Sequence, residues 1–177
     1  MPRYAAFLRA INVGRRQASK EVLRAACERA GGARVETLLA SGNLLFDARG
    51  GDERSLAAKL EKALAAELGF EVQTFLRSAA EMSTIAARSA ALADGEATLF
   101  VAFLGAPPTE TAWHRLRDAA TADDRFDLAG RQIYWLRRGS SADSPFSGPL
   151  LEKLLAAAAT VRKSTTVLKM ASKLGAT

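Results

Sequence analysis

Apolar residues recur along the chain in two rhythms. From Tyr4 to Ile11 both faces of an extended segment are apolar apart from Arg9, the pattern of an interior strand covered on both sides. After the loop INVGRRQAS, Ser19 caps a helix to about Ala30 with Val22, Leu23, Ala26, Cys27 and Ala30 on one side, and Gly31-Gly32 stops it. Arg34 to Leu39 reads as a second strand, Ala40-Ser41-Gly42-Asn43 as a turn, and Leu44 to Asp47 as a third strand. Asp52 opens a helix with Leu56, Leu60, Leu64 and Leu68 four apart; Gly69 ends it, and Phe70 to Leu76 is a fourth strand. Ser78-x-x-Glu81 has the form of a capping box and starts a connector helix.

The pattern then recurs. Thr98 to Leu104 is a strand, and Pro107-Pro108-Thr109 opens a helix carrying Trp113, Leu116 and Ala120. Phe126–Leu128 and Gln132–Arg137 form a hairpin around Ala129-Gly130, and Ser147-Gly148-Pro149 opens a helix with Leu150, Leu151, Leu154 and Leu155. Thr160 to Arg162 is a short last strand, and Ser164 to Leu174 a terminal helix. The expected fold is α+β: two tandem ferredoxin-like βαββαβ halves, 1–90 and 91–177, with a connector helix and a C-terminal helix.

Composition alters this little. Of the 177 residues 49% are hydrophobic and 25% charged, an ordinary globular mixture. Charge adds more: the net charge is +6, and it is uneven. Residues 1–50 hold nine basic and four acidic side chains, residues 51–130 eight and thirteen, and residues 131–177 eight and two. Two basic ends flank an acidic middle, which suits an anionic partner. One cysteine, Cys27, rules out a disulfide within the chain and fits a reducing compartment. The N-terminus lacks the apolar core of a secretory signal, and no apolar stretch is long enough to span a bilayer; the expected location is the cytoplasm.

YAAFLRAINVG and TLLASGNLLF resemble the opening of the bacterial domain-of-unknown-function family 1697. TLFVAFL, RQIYWLRRG and LLEKLL follow in that family's order, and TVRKSTTVLKM resembles its closing segment, usually T-x-R-N-W-N-T-V-x-K. Arg162, Thr166, Val167 and Lys169 match that segment; Lys163, Ser164 and Thr165 replace Asn-Trp-Asn, and Arg15 stands where the family has a second glycine. The resemblance implies a bacterial, two-part α/β protein and carries no activity with it.

Candidate chemistry is sparse. One Cys and one His, Cys27 and His114, cannot build a zinc site, and no metal or cofactor is expected. Asp123, Asp124 and Asp127 could supply an all-carboxylate Mg²⁺ site, but they stand in a hairpin approach, where Asp commonly serves turns. No phosphate-loop, dinucleotide or nucleophile-elbow motif occurs, and no residue stands out as acid, base or nucleophile. What remains is an anion-binding surface drawn from both basic ends. Its candidates are Arg9, Asn12, Gly14 and Arg15, the turn Ser41, Gly42 and Asn43, and Arg162, Thr166 and Lys169. Arg9, the one charge in the first strand, either pairs with a carboxylate such as Glu36 or lines a pocket. Gly14 either serves the backbone alone or opens amides to an anion beside the helix N-terminus. The expected partner is an anionic small molecule. One alternative is nucleic acid bound without a recognisable motif: NLLFDA lacks an RNA-binding strand signature, and Tyr134 and Trp135 lie on opposite faces of one strand; another is an enzyme of unidentified reaction. The oligomeric state is left open.

Overall fold

A computed structural model describes residues 1–39 and 42–175. The chain divides into two compact units, Met1–Thr84 with Met170–Thr177, and Ile85–Lys169. The first contains β1 (Arg3–Leu8), α1 (Lys20–Arg29), β2 (Ala33–Leu38), β3 (Asn43–Asp47), α2 (Glu53–Leu68) and β4 (Thr74–Ser78). Its antiparallel sheet has the order β2-β3-β1-β4. Every residue from Tyr4 to Leu8 is buried, so the two-faced apolar pattern reads a strand covered on both sides correctly. On one face Tyr4, Ala6, Leu8, Leu44, Phe46 and Leu76 pack with Leu23 and Cys27 of α1 and with Leu60 and Leu64 of α2.

Local sequence explains the helix ends. Ser19 Oγ accepts from Val22 N at 3.2 Å, and Asp52 accepts from Arg54 N and Ser55 N. Each such cap contributes about 1 kcal/mol. Gly69 adopts φ +74° and closes α2 through its N–H to Ala65 O, where a side chain would be strained.

Two strand limits differ from expectation. β1 stops at Leu8 because Ala10 and Asn12 take left-handed conformations, φ 53° and 57°, which no strand accommodates. Arg9 therefore lies in a turn, half-buried, and not inside the strand. β4 begins at Thr74, four residues later than the apolar run suggests. Phe70 joins the helix-side core, and the carbonyls of Glu71 and Gln73 are taken by Arg16 and by Arg9 N, so this stretch serves a loop in place of a ladder.

The second unit takes in part of α3 (Ala79–Leu92), then β5 (Ala97–Leu104), α4 (Glu110–Asp118), β6 (Asp124–Ala129), β7 (Gln132–Arg138), α5 (Gly148–Leu155), β8 (Ala159–Lys163) and the start of α6 (Ser164–Lys173). Its antiparallel sheet runs β6-β7-β5-β8, repeating the first sheet position by position. Phe100 and Trp135 stack at 4.6 Å between centroids, with Phe126 and Phe146 around them over α4 and α5. The capping box at the start of α3 forms as read: Ser78 N donates to Glu81 Oε2 at 2.8 Å, and Glu81 N donates to Ser78 Oγ at 3.2 Å. Among the described residues the fold is thus mixed α+β, with two four-stranded antiparallel sheets and six α-helices. No described helix is long and apolar enough to cross a membrane.

Candidate functional site

The loop between β1 and α1 is held from within. Asn12 N donates to Arg16 O at 2.7 Å and Arg16 N to Val13 O at 3.1 Å, closing a small turn. Asn12 Oδ1 accepts from Ala18 N at 2.9 Å, which ties the loop to the approach of α1. Arg16 pins the other side: Nε donates to Ala10 O at 3.0 Å, Nη2 donates to Glu71 O, and the guanidinium lies 4.4 Å over the Phe70 ring. Asn12 and Arg16 thus hold the loop's shape, while Val13, Gly14 and Arg15 are exposed at its tip. Gly14 has φ +57° with open space where a Cβ would point, so conformation and not crowding calls for glycine there.

The β2–β3 turn reaches the same end of the first sheet. Leu8 N donates to Gly42 O at 2.8 Å, directly before Arg9. A Cβ on Gly42 would lie 3.0 Å from the Cβ atoms of both Ile11 and Leu8, so only glycine permits this approach. Asn43 is buried, and its Nδ2 donates to Leu38 O at 3.0 Å. The structure therefore brings Arg9, Asn12, Gly14, Arg15, Gly42 and Asn43 to one end of the first unit. Ser41 lies outside the described residues.

The C-terminal candidates belong to the second unit. Arg162, taken as part of an anion-binding surface, is instead buried in β8, the last strand read from the sequence, where Nη1 donates to Thr160 Oγ1 at 2.7 Å and Val161 O at 3.0 Å. Burial holds its pKa down to about 10. β8 runs straight into α6, leaving Thr166 half-buried and Lys169 exposed.

Glu36, the carboxylate considered for Arg9, pairs with other cations. It accepts from Lys173 Nζ at 2.8 Å and Arg3 Nη2 at 3.3 Å, and the Lys173 bond leads in holding its carboxyl below the ordinary range. Arg3 also stands 3.0 Å from Asp47, which Arg34 Nε contacts at 2.5 Å. This network joins residues too far apart in the chain for spacing to reveal.

Two of the three carboxylates at β6, those of Asp124 and Asp127, are committed to protein donors. Asp124 is fully buried and accepts from Trp135 Nε1, Arg137 Nη1, Thr121 Oγ1 and Ser144 Oγ, each at 2.8 Å. Burial alone would raise its pKa, but the Trp135, Ser144 and Thr121 bonds and the Arg137 charge outweigh it and hold the carboxyl low. Asp127 accepts from Arg88 Nε at 3.0 Å. No group of three metal-ligating side chains stands together among the described residues. An open depression of about 500 Å³ beside α2 is lined by Glu61, Lys62 and Glu71 among others, so its charge does not favour an anion. His114 is on the surface of α4, 3.9 Å from Glu110.

The two four-stranded antiparallel sheets and the arginine-bearing β1–α1 loop place the chain in an uncharacterised class. The chain belongs to the DUF1697 family, described as proteins of unknown function, whose model matches residues 1–134. Among solved structures it is similar to the conserved bacterial protein SP0830 from Streptococcus pneumoniae, at 20% identity, 99% coverage of both chains and a TM-score of 0.76. That likeness extends to the fold. No curated protein matches the chain.

Proposed function

We propose that this protein binds an anionic small molecule, a nucleotide or a phosphorylated metabolite, at the Arg9–Arg16 end of its first unit. In this reading each half, 1–90 and 91–177, is a ferredoxin-like βαββαβ module, and the protein works in the cytoplasm. One observation carries the site: Arg9, Gly14 and Arg15 stand on a loop whose shape is maintained by Asn12 and Arg16 from inside. A loop already ordered loses little entropy on binding, and guanidinium groups match the geometry of oxyanions.

Thermal unfolding with inorganic phosphate, nucleotides, sugar phosphates and short oligonucleotides tests the proposal. A ligand at about 100 times its dissociation constant stabilises by roughly 2.7 kcal/mol. Arg15→Glu, at an exposed tip, is expected to abolish the shift from one ligand class without lowering the unliganded midpoint. An unchanged shift in both Arg15→Glu and Arg9→Glu refutes the site. Binding to unrelated oligonucleotides that falls steeply with salt would instead favour nucleic acid.

A further inference from the structure

The two units are one arrangement written twice, and the likeness continues beyond the sheets. Matched by strand register, Tyr4-Ala5-Ala6-Phe7-Leu8 falls on Phe100-Val101-Ala102-Phe103-Leu104, because Ala5 pairs with Arg77 as Val101 pairs with Arg162. Asn43 opposite Phe7 corresponds to Gln132 opposite Phe103, two buried amides. Tyr4 opposite Phe46 corresponds to Phe100 opposite Trp135, and both pairs are stacked. Glu36, opposite Leu45, then corresponds to Asp127, opposite Tyr134.

Each last strand runs directly into a helix, β4 into α3 and β8 into α6. At equal offsets from Arg77 and Arg162, buried residues fall at Met82 and Val167, at Ile85 and Met170, and, near the end of α3 and just past the end of α6, at Ser89 and Leu174. The boundary of the units falls at equal offsets too, after Thr84 in α3 and after Lys169 in α6. From Ile85 on, α3 belongs to the second unit, where Arg88 donates to Asp127 at 3.0 Å. From Met170 on, α6 belongs to the first, where Lys173 donates to Glu36 at 2.8 Å. Arg88 and Lys173 are again matched positions, and each binds the matched acid.

We propose that the units are an exchanged pair. Each completes its own fold with the end of the helix that grows from the other's last strand, so neither unfolds without unwinding a helix that the other needs. Two features agree, the buried positions and the cation–acid pair at the end of each helix, and the division of the chain into units follows from the same packing.

Both tryptophans, Trp113 and Trp135, are in the second unit, so indole fluorescence reports on that unit while far-UV circular dichroism reports on the whole chain. In the native full-length protein the two signals are expected to give one coincident unfolding transition; separated transitions overturn the proposal. Leu60→Ala removes a fully buried side chain from the first unit. It is expected to lower the tryptophan midpoint by as much as the circular dichroism midpoint, at least about 5 °C. A tryptophan midpoint that stays in place also overturns the proposal. Inserting Gly-Ser-Gly after Thr84 and again after Lys169 interrupts both helices where they change unit. In that background Leu60→Ala should no longer move the tryptophan midpoint in full; undiminished transmission shows that the helices do not carry the coupling and sinks the idea. Should the double insertion fail to fold, the coincidence of the two native transitions and the response of the tryptophan midpoint to Leu60→Ala decide the matter.

Discussion

Asp124→Asn should be among the most damaging single-atom changes in the second unit. The Asp124 side chain is fully buried and that of Arg137 is 9% exposed. Four donors converge on the carboxylate: an indole N–H, a guanidinium and two hydroxyls. An amide keeps one acceptor oxygen and presents two N–H donors to groups that are themselves donors, and it leaves the Arg137 charge without its partner. Breaking a buried, hydrogen-bonded pair from one side costs about 3–5 kcal/mol. In a chain of this size about 1 kcal/mol corresponds to roughly 2–4 °C, so the midpoint should fall by about 6–20 °C. Thermal unfolding followed by tryptophan fluorescence measures this, and Trp135 is itself one of the donors. The pH dependence has a definite sign. The Asp124 pKa is lowered by folding, so its contribution is fully present above the unfolded-state value near 3.9 and is lost as pH falls through the lower folded value. Wild type and variant should therefore converge only below the ordinary carboxylate range. A loss under about 1 kcal/mol at pH 7, or a gap that widens on acidification, refutes the reasoning.

Two further outcomes follow from local geometry. Gly42→Ala places a Cβ 3.0 Å from Ile11 and Leu8 at φ +76°, and should destabilise by about 1–3 kcal/mol in urea unfolding; a neutral result would mean the turn relaxes freely. Cys27 is fully buried, and burial pushes its thiol pKa up to about 12, so a thiol reagent at pH 8 should label the native protein only after urea is added; rapid native labelling would contradict this.

What the sequence by itself determined is local. Ser19, Asp52, Thr109 and Ser147 announce helix starts because their side chains satisfy amides two or three residues away. Ser78 and Glu81 declare the start of α3 for the same reason, and the alternation of apolar residues marks the strands. Element order and the repeat of the pattern were therefore legible; that Arg9 lies beyond β1, next to the Leu8–Gly42 contact, was not, because the apolar run continues to Ile11. Tertiary structure decided whatever depends on a partner far along the chain. Phe70 to Gln73 left the strand because Arg9 and Arg16 claimed their carbonyls and Phe70 joined the core. Arg162, which reads as a surface cation, is buried in β8. Asp124 gathered Trp135, Arg137 and Ser144, and Glu36 found Lys173 across 137 residues. Propensity and capping act within a turn of chain. Which charge meets which is settled only when loop closure and burial bring distant segments together, where an unpaired charge in a low-dielectric interior would cost more than the fold could spare.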